Sequence, residues 1–182
     1  SEMCIRDRPY GFSERPEEVQ KKLANPEKLK DIFSVDEKLF SELGIEAGKY
    51  LLYVSRLEKE NNAHVVIDAY NKLPDSAKTM PLLIVGDAPY AKEYIQGLKN
   101  MAGKNVIFAG GRFGECYRKL QLGAYLYVQA TEVGGTHPAL VEAQGYANCV
   151  VANKTPENLE VLGEAGLFYE KNDSDDLSAI FQ

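Results

Sequence analysis

The sequence has few cysteines, no long hydrophobic run and no excess of positive charge. Its three cysteines, Cys4, Cys116 and Cys149, are odd in number and lack the spacing of metal ligands, which indicates a reducing, cytoplasmic setting. No apolar run approaches the length of a membrane span. A net charge of −6 argues against a nucleic-acid partner, because binding to a phosphate backbone requires a concentrated basic face.

Two common phosphate-binding motifs are also missing. The sequence contains neither G-x-G-x-x-G nor G-x-x-x-x-G-K-[ST], which argues against a dinucleotide-dependent dehydrogenase and against a P-loop enzyme. No tandem repeat or low-complexity segment is apparent. With 182 residues, 45% of them hydrophobic and 26% charged, the chain has an ordinary globular composition, and its length predicts one domain with flanking segments.

What is present is an alternation of short apolar runs and amphipathic segments. The apolar runs predict buried strands at residues 50–54, 82–85, 106–109, 125–130, 149–152 and 167–169. The segments between them predict helices at residues 63–73, 91–102, 115–123 and 138–147, and a last helix starts at Ser174. This alternation predicts an α/β fold over residues 50–182, a Rossmann-like parallel sheet with helices on both faces.

The amino-terminal part is predicted to form a polar helical entry segment, residues 9–49. Two short helices with Pro-Glu starts are expected at residues 16–24 and 26–33, and Ser34 with Glu37 predicts a capping box for a third helix that ends at Leu43. Such a charged run is typical of a solvated cover. The first eight residues, SEMCIRDR, are expected to be a non-native leader.

The segment EVGGTHPALVEA predicts the ligand site. Its loop residues are Glu132, Gly134, Gly135, Thr136 and His137. Pro138 suits the first turn of the following helix, and the paired glycines let the backbone approach a ligand and direct N–H groups at an anion. Glu132 and Glu142 then lie beside this anion site as acceptors for hydroxyl groups. A nucleotide sugar needs hydrogen-bond donors for its phosphates next to hydrogen-bond acceptors for its hydroxyl groups, and this segment offers both.

The same segment resembles the donor-binding signature of family 4 retaining glycosyltransferases of the GT-B type. EVGGTHPALVEA is similar, more narrowly, to the EVGGT-x-P form of rhamnosyltransferase-like enzymes of bacterial surface-polysaccharide synthesis. The usual signature has seven residues between its glutamates, whereas nine separate Glu132 from Glu142. The resemblance implies that Glu142 accepts from ribose hydroxyls and that Glu132 holds a hydroxyl of the donor sugar.

A second segment, SRLEKEN, resembles the family's Gly-Arg-Leu segment, whose Arg and a Lys five residues later hold the donor diphosphate. Ser55 stands in the place of the Gly, and Asn61 stands where the Lys would be. Arg56 offers a bidentate contact to phosphate, whereas Asn61 offers only a neutral donor. The glycine-rich stretch from Gly110 to Gly114 either approaches the base or ribose, or is only a turn.

Other candidate residues have structural alternatives. His137 either contacts phosphate or the donor sugar, or caps the loop, and His64 is predicted to be structural or to lie at the surface. Asp173-Ser174-Asp175 matches the Asp-x-Asp metal motif of the other large glycosyltransferase fold, but its place directly before a helix predicts a cap. Four tyrosines are predicted to pack in strands and not to stack on a ligand: Tyr50, Tyr53, Tyr125 and Tyr127.

The resemblance implies the donor-binding half of a GT-B enzyme, expected to be a metagenomic fragment truncated at both ends. PYGF at residues 9–12 is similar to the entry into such a half, so an amino-terminal domain is expected to be missing. The implied reaction moves a sugar, with rhamnose as a candidate, from a nucleoside diphosphate to a saccharide or lipid-linked saccharide with retention. It needs no metal or other cofactor. Glu132 and Arg56 are the expected catalytic residues.

The implied location is cytoplasmic, at the inner face of the membrane if the missing domain binds there. Two alternatives stay open on the sequence alone. The chain is either a non-catalytic nucleotide-binding module, or an α/β enzyme that modifies sugar nucleotides, such as an epimerase or dehydrogenase. The missing dinucleotide fingerprint argues against the second of these.

Overall fold

The computed structural model describes residues 17–25, 37–133 and 137–182. Its strands are β1 Leu51–Val54, β2 Leu82–Val85, β3 Val106–Gly110, β4 Leu126–Gln129, β5 Cys149–Asn153 and β6 Leu167–Tyr169. Its helices are α1 Glu17–Ala24, α2 Glu37–Leu43, α3 Ala63–Lys72, α4 Lys92–Met101, α5 Gly114–Leu122, α6 Pro138–Gly145, α7 Pro156–Leu162 and α8 Ser174–Ile180. A short 3-10 turn, Lys59–Asn61, lies between β1 and α3.

The six strands form one sheet in the order β3-β2-β1-β4-β5-β6, and every neighbouring pair is parallel. In the central register Leu51 of β1 lies opposite Leu82 on one side and Leu126 on the other. This is the Rossmann order, in which the chain leaves β1 in one direction and returns to its other side with β4. The predicted α/β fold is confirmed, and the predicted strand ends differ from the observed ones by no more than one residue.

Helices cover both faces of the sheet because the strand side chains alternate between them. Leu52 of β1 is buried with helices α2, α5, α6 and α7, in a cluster that includes Phe40, Leu120 and Leu140. Its neighbours Leu51 and Tyr53 are buried on the opposite face with α3, α4 and α8. Burying a large apolar side chain of this kind stabilises the fold by about 1.5–3 kcal/mol, so the two clusters fix the sheet between its helices.

Three of the four strand tyrosines are buried, and each hydroxyl has a partner. Tyr50 donates to the carbonyl oxygen of Leu120 at 2.5 Å, Tyr53 to that of Asn61 at 2.6 Å, and Tyr127 to Oε1 of Gln129 at 3.0 Å. The prediction of strand packing is confirmed for these three. It is wrong for Tyr125, which directly precedes β4 and is 55% exposed.

The helix starts confirm the capping interpretation of the acidic motif. The Asp173 side chain accepts from the backbone N–H groups of Asp175 and Asp176, at 2.9 and 3.1 Å. A carboxylate at this position satisfies helical donors that lack intrahelical partners. Asp175 pairs with Lys72 at 2.7 Å. His64 is structural, as predicted, because its Nδ1 lies 2.8 Å from the Tyr94 hydroxyl.

The entry segment packs against the domain and is more than a solvated cover. Phe40 of α2 is 5% exposed and belongs to the first apolar cluster. Lys22 of α1 is buried, and its Nζ donates to the carbonyl oxygen of Tyr146 at 3.1 Å and to Oδ1 of Asn148 at 2.6 Å. The predicted helix at residues 26–33 and the cap at Ser34 lie outside the described residues. Among the described helices, none combines the length and apolar character needed to span a bilayer.

Candidate nucleotide-sugar site

The carboxyl ends of β1 and β4 lie side by side at the point where the strand order reverses. Open α/β sheets bind their ligands in the crevice at this switch point. Ser55 and Arg56 directly follow β1, and Glu132 follows β4 after two residues. The fold therefore brings two segments that lie far apart in sequence to the same edge of the sheet.

Arg56 presents its guanidinium to solvent at this edge. Its side chain is 73% exposed, and Nη2 lies 3.3 Å from Oε2 of Glu58. Glu58 also accepts a hydrogen bond from the Tyr90 hydroxyl. An exposed ion pair of this kind contributes little free energy. A guanidinium can form two parallel hydrogen bonds with a phosphate, so Arg56 is chemically suited to exchange Glu58 for such a group.

Ser55 has its main chain fixed by the neighbouring strand. Its N–H donates to the Val85 carbonyl at 3.1 Å. Directly after β2, Gly86 adopts a φ of +146° and lies so close that a Cβ on it would be 1.8 Å from the Ser55 carbonyl oxygen. Gly86 in turn donates to the carbonyl oxygen of Gly110 at 3.0 Å, so the ends of β1, β2 and β3 are joined.

Gly110 ends β3 with a φ of +70°, and a Cβ there would meet no heavy atom within 4 Å. The glycine is needed for its backbone conformation. The open space beside it leaves room for a ligand, so the base or ribose role stays a prediction. Gly134, Gly135 and Thr136 lie outside the described residues.

Asn61 is buried, and its side chain shapes the turn that carries Arg56. Its Nδ2 donates to the Arg56 carbonyl at 2.7 Å, and its own carbonyl accepts from the Tyr53 hydroxyl at 2.6 Å. In this conformation the Asn61 amide is directed at the main chain. A direct phosphate contact by Asn61 stays a prediction, whereas its support of the Arg56 turn is observed.

Glu132 is held by two groups that sequence reasoning missed. Its Oε1 lies 3.0 Å from Nζ of Lys171, and its Oε2 accepts from Nδ2 of Asn172 at 2.9 Å. The hydrogen bond from Lys171 lowers the pKa of the Glu132 carboxyl, with a further contribution from Asn172. The carboxylate is therefore ionised and oriented before any ligand arrives.

Asn172 belongs to a cluster of three asparagines. Its Oδ1 accepts from Nδ2 of Asn62 at 2.9 Å and from Nδ2 of Asn153 at 2.8 Å, and its N–H donates to Oδ1 of Asn153 at 3.0 Å. Asn153 ends β5 and Asn172 follows β6. Polar residues at the carboxyl ends of two parallel strands were the signal that could have found them.

Helix α6 begins at the same edge with Pro138 in its first turn. The His137 carbonyl accepts from the N–H groups of Leu140 and Val141, at 3.0 and 3.3 Å, but the His137 side chain makes no capping hydrogen bond. Burial lowers the pKa of the imidazole, with an opposing contribution from Glu157. Burial therefore favours the neutral form of His137. The positive end of the α6 dipole lies at its first turn, directly after His137.

Glu142 lies one turn into α6 and is only partly buried. Its Oε2 accepts a hydrogen bond of 2.5 Å from the hydroxyl of Tyr117, which lies on α5. Burial raises the pKa of Tyr117, and the neighbouring Glu142 raises it further, so the hydroxyl keeps its proton. No motif in the sequence pointed to Tyr117.

The family to which the chain belongs follows from comparison with known proteins. The model of the family described as Glycosyl transferases group 1 matches residues 35–182. The chain belongs to this glycosyltransferase family. A match of this extent covers the whole sheet, both segments at the switch point and helix α6.

Solved structures show the same fold. The Anabaena protein Alr3699/HepE in complex with UDP matches with a TM-score of 0.69 and 24% identity, over 80% of this chain and 41% of that one. A glycosyltransferase from Rickettsia africae ESF-5 matches with a TM-score of 0.68 and 18% identity, over 80% and 41%. The catalytic domain of cholesterol-alpha-glucosyltransferase from Helicobacter pylori matches with a TM-score of 0.53 and 24% identity, over 72% of this chain and 82% of that one.

The matched Anabaena and Rickettsia chains are longer than this one. The chain spans about two fifths of the length of the Anabaena protein, 41%. No curated protein sequence matched the chain. The family match and the shared architecture support a GT-B glycosyltransferase with a Rossmann-like sheet.

Proposed function

We propose that this chain is the donor-binding half of a GT-B enzyme that moves a sugar from a nucleoside diphosphate to a saccharide or lipid-linked saccharide. The observation that carries the proposal is the meeting of Arg56, Glu132 and the start of α6 at the β1–β4 switch point. A donor of this class has a diphosphate, a ribose and a sugar, and the edge offers a group suited to each.

The departing diphosphate requires positive charge and preorganised N–H donors. Arg56 supplies an exposed guanidinium, and the positive end of the α6 dipole lies at Pro138, directly after Gly134, Gly135, Thr136 and His137 in the sequence. Groups held in place before the reaction stabilise the charge that develops on the leaving group without reorganisation. We infer on this ground that the transfer is metal-independent.

The two carboxylates suit the hydroxyl groups on either side of the diphosphate. Glu142 is proposed to accept from ribose hydroxyls, and Glu132 from a hydroxyl of the donor sugar. The hydrogen bonds from Lys171 and Asn172 keep Glu132 ionised, so it can accept hydrogen bonds and stabilise an oxocarbenium-like sugar. Retention of the anomeric configuration and a rhamnosyl donor are part of the proposal, on the strength of the EVGGTHPALVEA segment.

The rest of the enzyme is also part of the proposal. The Anabaena protein was crystallised with UDP, with UDP-glucose, and with UDP and glucose, and this chain spans only 41% of the first of these chains. An amino-terminal domain is proposed to present the acceptor, and to place the enzyme in the cytoplasm at the inner face of the membrane. Binding without turnover is then expected of the present chain.

Calorimetric titration with UDP, UDP-glucose, dTDP and GDP tests the donor site. Arg56→Ala is expected to weaken the binding of whichever diphosphate the parent binds by about tenfold or more, since a charge-assisted hydrogen bond contributes roughly 1.5–3 kcal/mol. Lys49→Ala is the matched control, because Lys49 precedes β1 at the opposite edge and pairs with Glu46 at 2.9 Å.

If Arg56→Ala binds the nucleoside diphosphate as tightly as the parent, Arg56 does not contact the diphosphate. A transfer assay on the same chain then separates two classes of function. Binding without turnover agrees with a donor-binding half and also with a non-catalytic nucleotide-binding module. Turnover that starts when the amino-terminal domain of a related enzyme is added would favour the transferase. Turnover by the present chain alone would contradict the proposed division into two halves.

A further inference from the structure

Glu142 is connected to a chain of hydrogen bonds that runs away from the sheet edge into the protein. Tyr117 donates to Oε2 of Glu142 at 2.5 Å, and Nε2 of Gln121 donates to the Tyr117 oxygen at 2.9 Å. Oε1 of Gln121 accepts from Nδ2 of Asn148 at 3.0 Å. Oδ1 of Asn148 accepts from Nζ of Lys22 at 2.6 Å. Three side chains, joined by four hydrogen bonds, therefore connect a buried lysine to the carboxylate of the proposed ribose site.

We propose that Tyr117 is a positioning residue that sets the orientation of the Glu142 carboxylate for nucleotide binding. The inference rests on the proposed function, because it assigns a purpose to Tyr117 only if Glu142 contacts the nucleotide. Tyr117 itself is not placed against the ligand.

The direction of every bond in the chain follows from a main-chain acceptor beside Asn148. The Gln121 carbonyl can only accept, and Nδ2 of Asn148 donates to it at 2.8 Å, so the Asn148 oxygen faces Lys22 and accepts from its Nζ. The Asn148 amide nitrogen then donates to the Gln121 oxygen, and the Gln121 nitrogen donates to Tyr117. With its oxygen already accepting, the Tyr117 hydroxyl has its single proton for Glu142.

The middle of the chain is shielded from water. Gln121 is 0% exposed and Asn148 is 3% exposed. A buried amide that loses its partner is costly, which holds these two side chains in one orientation. The 2.8 Å bond from Nδ2 of Asn148 to the Gln121 main-chain carbonyl keeps the Asn148 amide in this orientation. Hydrogen bonds in such a series polarise one another, and the series ends on the carboxylate.

The two oxygens of the Glu142 carboxylate differ in their hydrogen bonding, which determines how the group can meet a ligand. Tyr117 occupies Oε2, while within the described ranges no hydrogen bond is made to Oε1. The carboxylate is thereby held in a single rotamer with one oxygen presented to an incoming hydroxyl. Without the Tyr117 hydroxyl, Glu142 samples several rotamers, and this freedom has to be lost again when the nucleotide binds.

The test is calorimetric titration of the full chain and of Tyr117→Phe with UDP and with 2′,3′-dideoxyuridine diphosphate, which lacks both ribose hydroxyls. Tyr117→Phe is expected to bind UDP about three to ten times more weakly. It is expected to bind the dideoxy compound as the parent does, because that compound has no hydroxyl for Glu142. A merely structural role of Tyr117 would weaken both ligands by the same factor.

Two controls sharpen the outcome. Tyr94→Phe removes a hydroxyl that bonds His64 on the other face of the sheet, and it should leave both affinities unchanged. The double variant Tyr117→Phe/Glu142→Gln should bind UDP no more weakly than Glu142→Gln alone, because the hydroxyl acts through that carboxylate. Additive losses in the double variant would contradict the positioning role.

The inference and the proposed function fail in different ways. If the parent binds UDP in a manner that depends on Glu142, and Tyr117→Phe binds it equally well, only the positioning role is overturned. If Glu142→Gln binds UDP as tightly as the parent, or if the parent does not bind UDP, the proposed ribose site is overturned and the positioning role with it.

Discussion

The backbone of Gly86 lies so close to Ser55 that a Cβ at Gly86 would be 1.8 Å from the Ser55 carbonyl oxygen. The contact joins the carboxyl ends of two neighbouring strands, β1 and β2, at the edge where the donor is proposed to bind. Gly86 also has a φ of +146°, which L side chains rarely adopt. Both observations indicate that any side chain at this position displaces the residues that begin the proposed diphosphate site.

Gly86→Ala is therefore expected to destabilise the chain by about 2–4 kcal/mol, which combines a main-chain clash with an unfavourable φ. Urea unfolding followed by circular dichroism measures this free energy. Gly97→Ala is the control: Gly97 lies within α4, and a Cβ there meets nothing within 4 Å. That variant should be neutral or more stable by up to about 1 kcal/mol. Equal stability of the two variants would contradict the close approach of Gly86 to Ser55.

Asn172 combines a left-handed backbone, with a φ of 58°, and the side-chain hydrogen bonds that hold Glu132. Asn172→Gly removes the side chain but keeps that backbone accessible, whereas Asn172→Ala removes the side chain and strains the backbone. Asn172→Ala is expected to be less stable than Asn172→Gly by about 1 kcal/mol, measured by urea unfolding. Both should be less stable than the parent because the amides of Asn62 and Asn153 lose an acceptor.

Ala147 gives the control of opposite sign for the Asn172 variants. It follows α6 with a φ of 57° and carries a side chain that the left-handed conformation disfavours. Ala147→Gly should therefore stabilise the chain by up to about 1 kcal/mol. A destabilised Ala147→Gly, together with equal stability of the two Asn172 variants, would show that these left-handed conformations are not present in solution.

The ion pair between Lys171 and Glu132 predicts a dependence on pH. Lys171 and Asn172 lower the pKa of the Glu132 carboxyl below its ordinary value of 4.5, so the pair stabilises the fold above about pH 4.5 and this contribution is lost as the pH falls through the pKa of the folded state. Lys171→Met should raise the pKa of Glu132, as measured by carbon NMR of its carboxyl group. The free energies of unfolding of parent and variant should differ near neutral pH and converge in acid. A pKa unchanged by the substitution would exclude the pair.

The sheet, and the edge at which the candidate site residues lie, could be predicted from the sequence because both depend on local pattern. Strands buried on both faces are continuous apolar runs, and their carboxyl ends follow directly from the alternation with helices. The same pattern predicts Arg56 and Glu132 at the carboxyl edge of the sheet.

The contacts that hold the site could not be predicted in this way. Asn172 lies 40 residues from Glu132, and Tyr117 lies 25 residues from Glu142. Such pairs meet only because of the order of the strands and the packing of α5 against α6, neither of which local periodicity records. The Asn61 amide was predicted as a phosphate donor from its alignment with a lysine, but its bond to the Arg56 carbonyl depends on the 3-10 turn.

The central claim is that the switch-point edge binds a nucleoside diphosphate through its ribose. Titration of Glu142→Gln with UDP tests this claim most directly. The variant is expected to bind UDP about ten- to a hundredfold more weakly than the parent, because a charge-assisted hydrogen bond of roughly 1.5–3 kcal/mol is weakened. The circular dichroism spectrum should be unchanged. Glu93→Gln, at an exposed position on α4, should bind as the parent does. Equal affinity of Glu142→Gln and the parent, or loss of the fold in Glu142→Gln, would contradict the claim.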